Sequence, residues 1–280
     1  MKRYMECVNK FYIEDNNVLD TKLFKEDIIR KGKSLYEVIR VIDGCPLFLK
    51  EHLERFNASA SLEGLSLWMS NKEIKTNIKR VIEANKVSCG NIKLVFNFNR
   101  KKTFLCYFLE HHYPEEINYE EGVKTIFYHG ERENPNAKVI AINFRQKVGK
   151  IIKEREAYEA ILVDRDGYIT EGSKSNIFMI KNDNVITAPI DTVLPGITRN
   201  TIMDLCNGLG LKVLEERICY KDINDLDGLF ISGTSPKVLP IRYIDHMEFN
   251  SSKNPIILKI MNAYNEEIKK DILNYKKENK

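Results

Sequence analysis

The sequence predicts a mixed α/β (α+β) chain folded as two domains, and three observations carry that expectation. Segments of helical period alternate with segments of strand period from end to end, which excludes an all-helical or all-strand architecture. The pattern breaks at His111-His112-Tyr113-Pro114-Glu115-Glu116, dividing a small N-terminal α/β domain, residues 1–113, from a larger C-terminal one, residues 114–280. With 280 residues and neither internal repeat nor low-complexity linker, the chain is long enough for each part to hold a core.

Residues 1–30 carry short mixed segments with a polar link at 14–17. Residues 35–42 read as a strand that turns at Asp43-Gly44 and resumes at Pro46-Leu47-Phe48-Leu49. Residues 52–62 have helical spacing, with Leu53, Phe56 and Ala60 on one face, and 71–85 form a second helix with Ile74, Ile78, Val81 and Ile82 on a stripe. Two apolar strands, 92–98 and 103–109, follow around the basic turn Asn99-Arg100-Lys101-Lys102. Beyond the boundary come a strand at 123–127, a polar loop at 131–137 and a helix at 144–157, with Val148, Ile151 and Ile152 inward. In the central hairpin, Ala160 and Leu162 alternate into the turn Asp164-Arg165-Asp166-Gly167, and Tyr168 and Ile169 resume the extended pattern. Strands at 177–180 and 185–188 pair around Asn182-Asp183-Asn184. Pro195-Gly196-Ile197-Thr198 opens a helix whose face is Ile202, Leu205, Cys206 and Leu209, closed by Gly210. A buried strand at 229–235 runs into a polar turn, and an amphipathic helix at 255–275 ends the pattern.

A net charge of +4 spread among interspersed Lys and Glu gives no concentrated basic face, so no nucleic-acid partner is expected. No apolar run reaches the roughly 18 residues that a membrane-spanning helix needs, and no signal peptide is read. The six cysteines are scattered, with no CxxC and no histidine at ligand spacing, so neither a disulfide framework nor a metal site is expected. This is the composition of a reduced, cytoplasmic protein.

The chemistry-bearing residues are few. Lys138 enters an apolar run, Val139-Ile140-Ala141-Ile142, where a lysine either snorkels or is buried; a buried amine loses charge and becomes nucleophilic. Glu171 ends the central hairpin beside Gly172-Ser173-Lys174-Ser175-Asn176; it is either an exposed hairpin end or a placed carboxylate. Gly196-Ile197-Thr198 offers free N–H groups and a hydroxyl at a helix start, suited to a phosphate or to an ordinary cap. Ser232-Gly233-Thr234-Ser235 ends a strand with further donors, and Arg55 sits on a helix that otherwise reads as packing. One amine, one carboxylate and several phosphate-type donors are what pyridoxal phosphate requires: an imine-forming lysine, an acid facing the ring nitrogen and an anion cradle.

With those residues in view, the sequence resembles the class IV (fold type IV) pyridoxal-phosphate enzymes, which include branched-chain and D-amino acid aminotransferases and aminodeoxychorismate lyase. The resemblance runs from about residue 32 to 241. It rests on Tyr36-Glu37-Val38, Glu51-His52-Leu53-Glu54-Arg55, Tyr158-Glu159-Ala160, Thr170-Glu171-Gly172 with Ser175-Asn176-Ile177-Phe178, Leu194-Pro195-Gly196-Ile197-Thr198-Arg199 and Ile231-Ser232-Gly233-Thr234, in the family's order. It implies a two-domain fold whose C-terminal domain has a barrel-like sheet, a homodimer, and pyridoxal 5′-phosphate held as a Schiff base on Lys138. It further implies that Glu171 keeps the ring nitrogen protonated and that Arg55, the Ile197 and Thr198 amides and Thr234 hold the phosphate. Lys138 would then act as the base at the substrate Cα, and Tyr36, Arg40 and Ser235 would face the substrate.

The sequence also departs from the family. The usual Phe-Gly-Asp-Gly ahead of the tyrosine is here Arg30-Lys31-Gly32-Lys33-Ser34, the Arg-Gly loop that grips the substrate carboxylate is replaced by Asn97-Phe98-Asn99-Arg100, and the loop after the glutamate carries Lys174. The cofactor apparatus is kept and the substrate is left open. The expected activity is amino-group exchange between an amino acid, branched-chain-like or D-, and a 2-oxo acid. The alternatives are an aminodeoxychorismate lyase forming 4-aminobenzoate and pyruvate, and an inactive relative that binds the cofactor.

Overall fold

The computed structural model describes residues 6–132, 135–140 and 142–279. Residues 133 and 134 of the expected polar loop and residue 141 of the apolar run after Lys138 lie outside the described residues. Two compact units are present: Met1–His112 with Ala137–Ile140 and Ile268–Lys280, and Tyr113–Asn136 with Ala141–Glu267.

In the first unit, β1 (Cys7–Glu14) and β2 (Asn17–Asp20) form a hairpin. Its two turn residues, Asp15 and Asn16, are both left-handed, at φ 45° and 71°, the conformation that continues the twist of paired strands and that Asp and Asn tolerate best. Then come α1 (Asp27–Arg30), β3 (Lys33–Ile42), β4 (Cys45–Pro46), α2 (Leu49–Leu62), α3 (Asn71–Asn85), β5 (Gly90–Phe98) and β6 (Thr103–Leu109). The six strands make one antiparallel sheet in the order β2-β1-β6-β5-β3-β4. Strand alternation sorts its residues to two faces. Leu35, Ile39, Ile92, Leu94, Phe96, Phe104 and Cys106 pack against Leu53, Phe56, Ile74, Ile78 and Val81 of α2 and α3. Tyr36, Val95, Leu105 and Tyr107 form a second cluster with Phe24 and Ile29. Ser70 and Glu73 close a reciprocal cap that starts α3 where its stripe begins.

The strand expected to resume at 46–49 lasts two residues. Only Val41 with Pro46 and Ile42 with Cys45 pair, and one further bond runs from the Leu47 N–H to the Arg40 carbonyl at 2.8 Å before the chain leaves the sheet. Phe48 turns left-handed at φ 50°, gives its N–H to Asp271 Oδ2 at 2.8 Å, and leads directly into α2, which begins earlier than the spacing of its apolar face suggests.

The second unit runs α4 (Glu116–Glu121), β7 (Val123–His129), α5 (Ile142–Glu154), β8 (Glu159–Val163), β9 (Tyr168–Gly172), β10 (Asn176–Lys181), β11 (Asn184–Thr187), α6 (Ile197–Gly208), β12 (Val213–Glu215), β13 (Ile218–Cys219), β14 (Gly228–Gly233), β15 (Lys237–Ile244), β16 (Met247–Glu248) and α7 (Pro255–Glu278). Six of its strands close a ring, β9-β10-β14-β15-β7-β8 and back to β9, so the expected barrel-like sheet is present. The β15–β7 and β7–β8 pairs are parallel and the rest antiparallel. Every ring strand contributes to one apolar cluster, among them Val123, Ile161, Ile169, Ile177, Met179, Ile231 and Leu239. The sequence pattern assigns no strand over 237–244; Pro240 lies there opposite Phe230 in the ladder and the strand accommodates it. Among the described residues no helix is long and apolar enough to cross a membrane.

Two glycines separate backbone constraint from helix propensity. Gly122, between α4 and β7, has φ +84°, and a Cβ there would stand 2.9 Å from the Arg242 amide nitrogen. Gly149 lies inside α5 with open space around it. Gly122→Ala should therefore lower stability by more than about 1 kcal/mol, whereas Gly149→Ala should raise it by about 0.5–1 kcal/mol. Thermal midpoints moving in the same direction for both would contradict this assignment.

Candidate functional site

The first unit gathers four of the expected site residues around β3. Residues 137–140 run alongside that strand: the Tyr36 N–H donates to the Lys138 carbonyl at 3.1 Å, the Ile140 N–H to the Ser34 carbonyl at 3.1 Å, and Leu35 bridges Val139. Lys138 N–H is 3.4 Å from Ser59 Oγ on α2. These bonds fix the half-buried Lys138 so that its ammonium lies 4.9 Å from the centre of the Tyr36 ring, a cation–π distance. Tyr36 and Arg40 are buried on the same face of β3, four residues apart.

Arg55, on α2, turns its fork to Glu37 of β3. Its Nε donates to Oε1 at 2.8 Å and its Nη2 to Oε2 at 2.6 Å, and His52 Nδ1 meets the same Oε2 at 2.8 Å. All three groups are buried. Burial by itself would raise the Glu37 carboxyl; the Arg55 guanidinium and the His52 hydrogen bond outweigh it and hold the group down at about 2. Glu37 is thus an ionised acceptor and His52 Nδ1 must donate. Burial pushes the imidazole below its ordinary 6.5, against the pull of Glu37, so His52 is neutral with its proton on Nδ1.

The second unit gathers the rest around Asn176. Glu171, near the end of β9, is buried and pairs with Asn176 where the ring closes. Its Oε1 accepts from Arg132 Nη1 at 3.2 Å and its Oε2 from the Leu194 N–H at 3.1 Å. Asn176 Nδ2 donates to the Leu194 carbonyl at 3.0 Å, and on its other side Asn176 faces Ser232 of β14. Gly196 caps α6 with no side-chain hydrogen bond, leaving the first-turn amides of Ile197 and Thr198 without intrahelical acceptors. A Cβ on Gly196 would collide with Asn176 Oδ1, so a side chain there would displace the Asn176 amide. Arg199 anchors the helix, bonding the Ala188 carbonyl at 3.0 Å and Glu215 at 2.9 Å, and the Thr198 hydroxyl lies 3.3 Å from that of Tyr264. Thr234 and Ser235 sit half-buried in the turn after β14. Beneath them Ser232 Oγ is fully buried and meets no hydrogen-bond partner among the described residues.

Each expected site residue is therefore found on one of two local constellations: Tyr36, Arg40, Arg55 and Lys138 in the first unit, and Glu171, Ile197, Thr198, Thr234 and Ser235 in the second. The donor set fits pyridoxal phosphate: an uncapped helix start, a strand end with an unpartnered buried hydroxyl, an arginine, a buried carboxylate and a lysine amine. Among the described residues no group of His, Cys, Asp and Glu could hold a metal ion.

Sequence reasoning gave no role to Glu37, His52, Arg132 or Glu159. The first signal was legible, since an acid inside the apolar run Leu35-Tyr36-Glu37-Val38-Ile39 has to be paired if it is buried. Glu159 is likewise buried in a strand, accepting from Ser173 Oγ at 2.6 Å, Lys174 N–H at 3.2 Å and Ser175 Oγ at 3.2 Å, and so fixes the loop after Glu171. Arg132 stands in a polar loop, and nothing local distinguishes it from a surface arginine.

Comparison with known proteins places these constellations in context. Residues 34–244 match the family model described as amino-transferase class IV. The chain is 29% identical over 246 residues, 83% of its own length and 86% of the other's, to D-alanine aminotransferase of Bacillus licheniformis. It is 28% identical over 255 residues, 83% of each chain, to the branched-chain-amino-acid aminotransferase of Pseudomonas aeruginosa. In fold it is similar to a solved T.th branched-chain amino acid aminotransferase complexed with N-(5′-phosphopyridoxyl)-L-glutamate, a pyridoxal-phosphate derivative. The TM-score is 0.82 at 22% identity, covering 93% of this chain and 94% of that one.

The buried Glu37–His52 pair dictates an acid response. His52 binds its proton less readily folded than unfolded, so its contribution is complete above about 6.5 and is lost as pH falls below that value. Glu37 binds its proton less readily too, so its contribution is complete above 4.5 and is lost as pH falls toward about 2. The thermal midpoint should decline from pH 6.5 downward and again below 4.5, and His52→Asn, which keeps a donor for Glu37, should remove the upper decline alone. An unchanged upper limb in that variant would mean that another group titrates there.

Proposed function

The chain belongs to the class IV amino-transferase family, and on that premise we propose that it exchanges an amino group between an amino acid and a 2-oxo acid with pyridoxal 5′-phosphate as cofactor. The observation that carries this reading is the reach of the family match: residues 34–244 enclose every candidate residue from Tyr36 to Ser235. Lys138 would be the amine that holds the cofactor's aldehyde carbon, its backbone tied to β3 and its Nζ beside the Tyr36 ring. Freed by the incoming substrate amine, Lys138 Nζ would be the base that moves the proton at the substrate Cα. The bound cofactor supplies an electron sink for the pair left behind. Glu171 would face the ring nitrogen and keep its proton in place. Arg55, with the Ile197 and Thr198 amides and Thr234, holds the phosphate dianion, one charge and several directed donors against it. Tyr36, Arg40 and Ser235 meet the substrate.

The two named relatives act, by their names, on D-alanine and on branched-chain amino acids. The substrate we propose for this chain is accordingly a small D-amino acid or a branched-chain one. We further assign it to a homodimer in the cytoplasm, for which gel filtration with light scattering is the direct check of assembly. An aminodeoxychorismate lyase would use the same lysine but turn over with one substrate and no oxo acid.

The test is a visible spectrum of the purified protein before and after adding L-amino acids, then D-alanine, without oxo acid. Loss of the imine band with one pool supports transamination and gives its stereochemical hand; a band that stays with every pool favours the lyase. Absence of any band after adding pyridoxal phosphate would overturn the cofactor assignment. Lys138→Ala should abolish the band while leaving the circular dichroism spectrum unchanged; a retained band would mean that another lysine carries the cofactor. Glu171→Gln should keep the cofactor and slow Cα proton removal by several orders of magnitude, and near-normal turnover would remove Glu171 from its role.

A further inference from the structure

Arg132 bonds the carboxylate of Glu171, and nothing in the exchange reaction as outlined uses it. The pair is sheltered: the arginine side chain is 15% exposed and that of Glu171 is 4% exposed. Solvent screening is weak at such a site, and a full positive charge 3.2 Å from Oε1 acts on the carboxylate with most of its strength. The Leu194 N–H fixes the other oxygen, so the carboxylate is held in direction as well as in charge.

We propose that Arg132 sets the protonation of the cofactor's ring nitrogen, acting through Glu171 as a positioning residue. The proposal rests on the reading that Glu171 faces that nitrogen. A carboxylate and a ring nitrogen joined by a hydrogen bond share one proton in two ways: anion with protonated nitrogen, or neutral acid with bare nitrogen. Arg132 touches the carboxylate, and the nitrogen lies one hydrogen bond beyond it, so the guanidinium favours the anion more than it disfavours the cation. The proton stays on nitrogen. Take the guanidinium charge away and the buried carboxylate becomes the better base. The proton moves to Glu171, and the ring draws electrons less strongly when Lys138 removes the Cα proton. Arg132 thereby governs the electronics of the cofactor without touching substrate.

The geometry also separates charge from hydrogen bonding. Glutamine in place of Arg132 keeps a neutral donor for Oε1, whereas lysine keeps the charge. The experiment is nitrogen-15 NMR of the holoenzyme reconstituted with ring-labelled pyridoxal phosphate, in the wild type and in R132Q, R132K and E171Q. E171Q should move the ring-nitrogen signal from the protonated toward the unprotonated position, which tests the reading of Glu171. R132Q should move it in the same direction and R132K should leave it near the wild type. A structural role for Arg132 would lower the melting temperature of R132Q and leave the signal where it was; with E171Q shifted, that result overturns the proposal and spares the reading beneath it. Equal shifts in R132Q and R132K would overturn the assignment to charge. An unshifted E171Q would remove Glu171 from the ring nitrogen, and the proposal would fall with it.

Discussion

The second unit depends on one closing contact, the pairing of Glu171 with Asn176 that joins β9 to β10 and turns an open sheet into a ring. Closure removes two strand edges that would otherwise carry unpaired N–H and C=O groups. It also brings three loops to one place. Asn176 bonds the backbone ahead of α6, lies opposite Ser232 at the end of β14, and sits beside the acid at the end of β9. The cost is space. A Cβ on Gly172 or Gly196 would collide with Ser175 Oγ or Asn176 Oδ1 respectively, so either position takes a side chain only if that neighbour swings away. The acid and the helix start are consequences of the same closure, which is why neither can be moved without the other.

The first unit solves a different problem, that of placing charge inside a sheet-and-helix sandwich. Glu37 sits on the face of β3 that packs against α2 and α3, among Leu35, Ile39 and Phe56. Such a carboxylate is tolerable only when its oxygens are met by donors, and Arg55 and His52, one helical turn apart on α2, supply them. Removing one partner would leave an uncompensated buried charge, a penalty of about 3–5 kcal/mol in comparable pairs. The group that ties α2 to β3 also fixes the direction in which Arg55 points.

Much of this was legible in the sequence because the apolar spacing and the turn chemistry agree. The stripe of Ile74, Ile78 and Val81 and the Ser70–Glu73 cap delimit α3 at residues 71–85, and Asp164 to Gly167 marks the central hairpin. The strand pairs around Asn182 and around Asn99 to Lys102 follow from the same logic. What escaped is what local pattern cannot hold. Ring closure is a single pairing between β9 and β10, and the barrel-like sheet is expected from the family resemblance alone. The four residues of 137–140 join the first unit through bonds to Ser34, Tyr36 and Ser59, all far away along the chain. Lys138 could be picked out by its apolar surroundings and the family's spacing, but its neighbour Tyr36 could not be inferred from either.

Three buried carboxylates show why identity alone never reveals a role. Glu37 is neutralised by a bidentate arginine and a neutral imidazole, and it serves the packing of a helix against a strand. Glu159 has hydroxyls and amides around it, accepting from Ser173, Ser175 and the Lys174 N–H, and it shapes a loop. Glu171 takes a backbone amide on one oxygen and a guanidinium on the other, joining a fixed direction to a full opposing charge. A carboxylate has about four acceptor positions. An acid whose work is structural can spend them all on fixed neighbours, whereas an acid meant to receive a ligand's N–H must stay ionised in a buried place until that ligand arrives. A guanidinium meets that condition by charge, and an amide by aim. The three acids differ in how their acceptor positions are met, Glu37 by one bidentate guanidinium with an imidazole, Glu159 by hydroxyls and amides, Glu171 by one guanidinium nitrogen and one amide, and that difference is written in the three-dimensional partners of residues that look alike in the sequence.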